Sequence, residues 1–215
     1  MRRRRRAAIV IAGRGIVSLA KARQATAVGG RCLPSPAGSG ILRDGDFSLA
    51  PDPGSRQGIP AGTRFAPGWV VTQRTIDFYG QHGAWPVPGG LCSIDLDGSG
   101  PNGVGAIAHA PVATTPGASY TLGFLFSGNR HCAAFQHGPL VKTMTVKAVG
   151  ALGTLRHRFR WSTLHDHDAE HGDFATEAWV FQATSDATRI VFQSDDQPVT
   201  SNCGPVIAAV ALAQN

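Results

Sequence analysis

The chain is short of charge, with 16% Asp, Glu, Lys and Arg, and no segment shows the helical spacing of an amphipathic α-helix. A helical bundle is thereby disfavoured. No apolar run approaches the ~20 residues that a membrane-spanning helix needs. G-x-S-x-G, H-E-x-x-H and a P-loop are all missing, as is any recognisable Cys–His nucleophile arrangement, which lowers the case for an enzyme. The four cysteines, Cys32, Cys92, Cys132 and Cys203, contain no C-x-x-C, so the tight paired spacing of a structural zinc site is lacking. What the chain has in quantity is Gly, Pro, Ala, Thr and Val, a composition suited to an all-β domain with many turns.

The formal net charge of +6 misleads. Residues 1–31 hold nine Lys/Arg and no acid, so the remainder carries 11 bases against all 14 acids. The body is mildly acidic, and the high isoelectric point is no footprint of nucleic-acid binding. The basic head reads as a degenerate signal peptide over residues 1–27: arginines precede an apolar stretch from residue 7 to 20, and Ala25-Thr26-Ala27 offers a small-residue cleavage site. Arg14 inside the apolar stretch opposes insertion, and a cytosolic basic tail is the alternative. The C-terminal Ala213-Gln214-Asn215 offers no anchor. Export would favour disulfides, with three pairings open to four cysteines; a reducing cytosol would leave buried thiols.

Residues 28–41 read as a flexible Gly/Pro/Ser linker, and 42–215 as one domain. Its strand candidates are 69–79, 91–97, 104–109, 120–127, 141–149, 155–161, 178–184, 189–193 and 206–213. Tyr120, Leu122, Phe124 and Phe126 share one face. Met144, Val146 and Ala148 point one way, and Thr143, Thr145 and Lys147 the other. About nine short strands predict an all-β, antiparallel two-sheet β-sandwich of jelly-roll type.

The segment SIDLDGSGPNGVGAIAHA (Ser93 to Ala110) imitates two motifs. Gly98 to Gly103 satisfies G-x-G-x-x-G, but Pro101 and a short strand follow where a dinucleotide site needs a helix. Its glycines are better explained by turns with positive φ. Asp95, Asp97, Ser99 and Gly100 match the start of a calcium loop, yet Ala106 stands where its bidentate Glu belongs. Asp95 and Asp97 lie two apart on one face of a strand and so cannot flank a bond from opposite sides, as glycoside hydrolysis requires. They read as turn-capping or binding residues. His165-Asp166-His167-Asp168-Ala169-Glu170-His171 supplies metal-ligand types, but on a polar hairpin loop with nothing to fix their geometry. Among aromatics, Trp69 reads as core. Phe78, Tyr79 and Trp85 surround the loop YGQHGAWPVPGG, where an exposed ring could stack on a sugar; Trp85 is the first candidate.

The order DGDFS (Asp44 to Ser48), PGWVVTQRTIDF, CSIDLDGSGPNGVGAIAH, TTPGASYTLGFLFSGNRHC, VKTMTV, FQATSDATRIVFQS and CGPVIAAVAL resembles the domain of unknown function 642 family of plant cell-wall proteins and its bacterial relatives, the choice-of-anchor C domains. The resemblance runs from about residue 42 to the end. It implies a galactose-binding-like β-sandwich, an extracellular location, association with carbohydrate or cell wall without established catalysis, and a Cys132–Cys203 pair. Two positions depart from the family pattern. Ser48 replaces the acid of N-G-x-F-E, and Ala208 replaces the Asp of G-P-x-x-D-x-V, so the structural calcium that acids at the two chain ends often bind in such sandwiches is not expected. No other cofactor and no family anchor segment are expected.

The function expected is therefore a secreted, non-catalytic, carbohydrate-binding-like domain. Its partner would be a cell-wall glycan or other extracellular polysaccharide, contacted by Trp85, Tyr79, Asp95, Asp97 and Asn102. The alternative is a protein-interaction module that modulates a wall-modifying enzyme. A metal-dependent hydrolase using the His165–His171 loop comes third. No nucleic-acid partner and no transmembrane segment are expected.

Overall fold

The computed structural model describes residues 9–11, 16–18, 32–35, 38–55, 57–80, 83, 87, 89–99, 103–129, 140–163, 174–196 and 202–215. Within the head, β1 (Ile9–Ile11) and β2 (Ile16–Ser18) form a two-stranded antiparallel sheet. The body holds two antiparallel sheets, and no α-helix occurs among the described residues. In chain order the body strands are β3 (Gln57–Pro60), β4 (Arg64–Ala66), β5 (Trp69–Gln73), β6 (Thr75–Tyr79), β7 (Ser93–Asp95), β8 (Ala106–His109), β9 (Val112–Ala113), β10 (Ser119–Gly128), β11 (Val141–Gly150), β12 (Gly153–Ser162), β13 (Ala175–Gln182), β14 (Ala187–Ser194) and β15 (Pro205–Gln214).

One sheet has six strands in the order β13-β10-β15-β7-β6-β3. The other has seven, β12-β11-β14-β8-β5-β4 with β9 added beside β14. The chain passes repeatedly from sheet to sheet, as a jelly roll does. The first passage occurs inside the stretch 69–79, which the sequence reads as one strand. Arg74 takes φ 50°, a left-handed conformation that ends β5 in the seven-stranded sheet and starts β6 in the six-stranded one. Nothing about an arginine advertises that corner.

Alternation along each strand fills the space between the sheets. Leu122, Phe124 and Phe126 from β10 meet Met144, Val146, Phe159, Ile190 and Phe192 from the opposing sheet, all buried. Phe124 packs edge-on against Phe159 and Phe192 at 4.9 and 5.2 Å between ring centroids, a geometry worth about 0.5–1.5 kcal/mol per pair beyond the area buried. Trp69 is core, as expected, and its Nε1–H donates to the Asp44 carbonyl at 2.9 Å.

The stretch 28–41, read as a linker, is attached where it is described. Cys32 forms a disulfide with Cys92. Leu33 N–H donates to Gly90 O at 3.0 Å and Ser35 N–H to Asp46 Oδ2 at 2.7 Å. Gly40 bridges to Leu212 of β15. No described cysteine is free; Cys203 is buried, and Cys132, its expected partner, lies outside the described residues. No described helix is long and apolar enough to cross a membrane.

Candidate functional site

The two sheets treat their outer faces differently, and this separates the candidate residues into a sealed group and an open one. On the six-stranded sheet the cross-strand row Asp77–Asp95–Val206–Ser127 points away from the core, yet every member is buried. Chain outside the sheet lies over it: Val87 and Leu91 pack with Ala208, Leu125, Phe174 and Ala209 in a second apolar cluster. Tyr79, paired with Ser93 on the same face, is buried with it. This corrects the expectation of an exposed ring near the loop. Trp85 and Asn102 lie outside the described residues, as does the His165–His171 loop.

Asp95 and Asp97 are buried at the end of the sandwich where β7, β10 and β14 finish and β11 and β15 begin. Asp95 Oδ1 accepts from Asp97 N–H at 2.9 Å and Gly204 N–H at 3.0 Å, and Oδ2 accepts from Asn129 Nδ2 at 2.6 Å. The bond two residues on is the local Asx turn expected of a turn-capping aspartate. The other two tie it to distant segments. Gly204 must be glycine here, because a Cβ would sit 2.5 Å from Asp97 Cγ. Asp77 accepts from Ser99 N–H at 3.1 Å and Ser99 Oγ at 2.5 Å. Gly98, expected to supply positive φ, does not; it allows close approach instead, since a Cβ would lie 2.6 Å from the Ile76 carbonyl carbon.

Two further charges join this end, and neither stands out in the sequence. Lys142 is inward-facing on β11, with Nζ donating to Cys203 O and lying 3.9 Å from Asp196 Oδ2. Asp196 Oδ1 accepts from Thr143 N–H at 2.5 Å and Thr143 Oγ1 at 3.1 Å. Asp97 is 0% exposed, with Ser194 the hydrogen-bonding side chain beside its carboxylate. Burial raises all three acids, since removing water disfavours the charged form. Asp97 reaches about 8, raised further by the charge of Asp95. Asp95 reaches about 7 against the pull of its three donors, and Asp196 about 6. Burial lowers Lys142, opposed by the attraction of Asp196, Asp95 and Asp97. Parity gave the available signal: Lys142 alternates in step with Met144 and Val146, and so falls on the core side.

Carboxylates without solvent exposure cannot touch a substrate as placed. This network joins loops at one end of the fold. The DGDFS turn works similarly: Asp46 accepts from Ser35 and Ser48 N–H at 2.7 and 3.2 Å, and Asp44 from Leu49 N–H at 2.8 Å. Gly45 O accepts from Val210 N–H at 2.9 Å, so this turn lies against β15. Ala208 offers no side-chain oxygen and packs among apolar neighbours. Asp52 stands beside Cys32 and Cys92, whose sulfurs are committed to their disulfide and offer no thiolate to a metal.

The outer face of the seven-stranded sheet is different. Cross-strand register places Arg160 beside Thr143, Arg158 beside Thr145, and Arg156 beside Lys147. Thr145 and Lys147 in turn neighbour Gln193 and Val191 of β14, which neighbour Ala106 and Ala108 of β8. Val70, Thr72 and Gln73 of β5 follow, with Arg64 of β4 beyond. Arg156, Arg158, Arg160, Arg189, Thr72 and Arg64 are exposed, and Thr143, Thr145, Lys147, Val191 and Gln193 are partly so. At about 4.8 Å per strand the six strands span about 24 Å. Lys147 Nζ donates to Gln193 Oε1, and Asp195 accepts from Thr145 Oγ1 and Arg158 Nε, so these side chains lie along the sheet. The sequence signal was the run Leu155-Arg156-His157-Arg158-Phe159-Arg160-Trp161, in which every second residue is Arg.

A chain with this fold falls among the two-sheet antiparallel sandwiches. Residues 40–213 match the family described as protein of unknown function (DUF642), and the chain belongs to that family. No curated protein matches it in sequence. Among solved structures it is similar to a protein described as CBM4, at 11% identity with a TM-score of 0.45, covering 81% of this chain and 99% of that one. It is similar to a family 16 carbohydrate-binding module at 16% identity, TM-score 0.41, covering 64% and 84%. It is also similar to an arabinose-bound α-L-arabinofuranosidase, MgGH51, at 12% identity, TM-score 0.48, covering 82% of this chain and 28% of that one. At such values the likeness assigns neither ligand nor activity.

Proposed function

We propose that this protein is a secreted, non-catalytic module that binds cell-wall or other extracellular polysaccharide on the outer face of its seven-stranded sheet. The observation that carries the reading is that face. It is about 24 Å wide and presents Thr143, Thr145, Gln193, Thr72 and Gln73 among arginines, with Ala106 and Ala108 of β8 buried between these longer side chains. Hydroxyl, amide and guanidinium groups in a row can exchange hydrogen bonds with the hydroxyls of an extended sugar chain. Rigid strands hold them in place, so little ordering entropy is lost on binding. The buried state of Asp77, Asp95, Asp97 and Asp196 supports a non-catalytic role, because these carboxylates are sealed from any polymer outside. The Cys32–Cys92 disulfide supports an oxidising compartment.

Affinity electrophoresis of the full chain through gels containing neutral and charged polysaccharides tests the reading. Retardation by at least one polymer, weakened by Thr145→Ala with Gln193→Ala, is the expected result. Migration unaffected by every polymer would overturn it. Capture of a wall-modifying enzyme from culture supernatant, without glycan binding, would move the protein to the class of interaction modules.

A further inference from the structure

We propose that the open face of the seven-stranded sheet is selective for anionic polysaccharide, specifically a carboxylated one of the polyuronate type; this rests on the glycan-binding reading above. The body of the protein is acidic, with 11 bases against 14 acids beyond residue 31. Five of those 11 bases, Lys147, Arg156, Arg158, Arg160 and Arg189, nevertheless stand together on three adjacent strands and on one face. Among the described residues, the acid sharing that face is Asp195, held by Thr145 and by Arg158 at 3.3 Å. Asp186 lies in the turn leading into β14. A local excess of positive charge on a body of opposite sign is a directed feature, and it raises the local concentration of polyanions.

The spacing also matters. Arg156, Arg158 and Arg160 project from one edge strand at every second residue, so they repeat about every 6.8 Å. A regular ladder of cations suits a polymer with regularly repeated anions. Arginine narrows the anion, since its planar guanidinium pairs with a planar carboxylate through two parallel N–H···O bonds. Lys147 and Gln193 stand one and two strands further in, where sugar hydroxyls would follow the carboxylates. No aromatic side chain lies on this face among the described residues, so it lacks the stacking platforms that single-stranded nucleic acid uses. Its apolar members among the described strand residues, such as Val70, Val141 and Val191, include none of the Trp, Phe or Leu side chains that enter a lipid interface.

The test is affinity electrophoresis of the full chain in polygalacturonate, a neutral galactan, a sulfated glycosaminoglycan and single-stranded DNA at matched concentrations. The expected result is strongest retardation by polygalacturonate, falling as salt rises from about 0.05 to about 0.5 M because exposed charges are screened. The variant Arg156→Gln, Arg158→Gln, Arg160→Gln should lose at least about tenfold in apparent affinity for polygalacturonate, with smaller change toward the neutral polymer. A second full-length variant, with Arg2 to Arg6 replaced by Gln, separates the basic head from the sheet and should keep polygalacturonate binding. Loss in that head variant but not in the sheet variant overturns the proposal. So does tighter retention by the sulfated polymer or by DNA. Binding confined to the neutral polymer overturns this inference but leaves the glycan-binding reading standing. No retardation by any polysaccharide sinks both.

Discussion

The outer faces of the two sheets start from the same alternation rule and reach opposite ends. On the six-stranded sheet, Asp77, Asp95 and Ser127 occupy positions that would ordinarily meet water, but all three are buried, and the two aspartates join an interior hydrogen-bond network. On the seven-stranded sheet, Thr143, Thr145, Lys147 and the β12 arginines occupy equivalent positions and keep their contact with solvent. A polar side chain on an outward position therefore has no fixed role. Covered, it is a costly group that must find internal partners. Uncovered, it is a candidate for binding.

The largest effect expected is on the covered side. Lys142→Met removes the cation that offsets Asp196, Asp95 and Asp97 and leaves Cys203 O without that donor. Stability at pH 8 should fall by about 3–5 kcal/mol, the cost of breaking a buried ion pair. At pH 5, where the three raised acids hold protons, the loss should be smaller. Urea denaturation at both pH values checks this, and an equal loss at both would show that the charges are uncoupled.

Next comes the strap beside the cover. Cys32→Ser opens a disulfide between residues 60 apart in sequence, and loop entropy puts the loss at about 4 kcal/mol. The thermal midpoint should drop, and reductant should no longer shift it through this bond. An unchanged midpoint would mean that residues 32–35 hold the covering chain without it.

The pH dependence of the parent protein is a third measure. Asp196, Asp95 and Asp97 have folded-state values of about 6, 7 and 8, above the unfolded value of 3.8. The folded protein therefore binds their protons more tightly than the unfolded chain does. The stability they contribute is full below about pH 4 and is lost progressively as pH rises through 6 to 8. Thermal unfolding should show a declining midpoint across that window, and Asp97→Asn should flatten the decline. A midpoint that climbs from pH 5 to 8 in both proteins would contradict the buried network.

The smallest effect on stability belongs to the open face. Arg156→Gln with Arg160→Gln should change stability by no more than about 0.5 kcal/mol, because both side chains are exposed. The same pair should weaken polysaccharide binding measurably. If stability moved and binding did not, the contrast between the faces would fail.

Much of the fold is legible in the order of residues alone. The alternation of Met144, Val146 and Ala148 with Thr143, Thr145 and Lys147 assigns the two faces of β11, and Tyr120, Leu122, Phe124 and Phe126 assign the inner face of β10. The site is less legible, for physical reasons. Periodicity says which residues share a face; it is silent on whether other chain covers that face. Residue type thus points Asp95, Asp97 and Tyr79 toward binding, and all three are buried. Lys142 is visible as a member of the inner face by parity, but composition argues against a buried lysine until its partners are known. Those partners, Asp196 and the Cys203 carbonyl, are 54 and 61 residues away in sequence.

Residue order is thus enough for an all-β sandwich, the family and the core faces of the long strands. These follow from local chemistry: side-chain polarity, the two-residue period of a strand, and the turn-forming habits of Gly, Pro and Asp. Tertiary structure alone decided that 69–79 turns a corner at Arg74 from one sheet to the other. It also decided that four aspartates and Lys142 share an interior end, and that the β12 arginines and Lys147 share an open face. Such outcomes depend on which distant strands pair and which loops fold over them, and those contacts are not encoded in any short window of the chain.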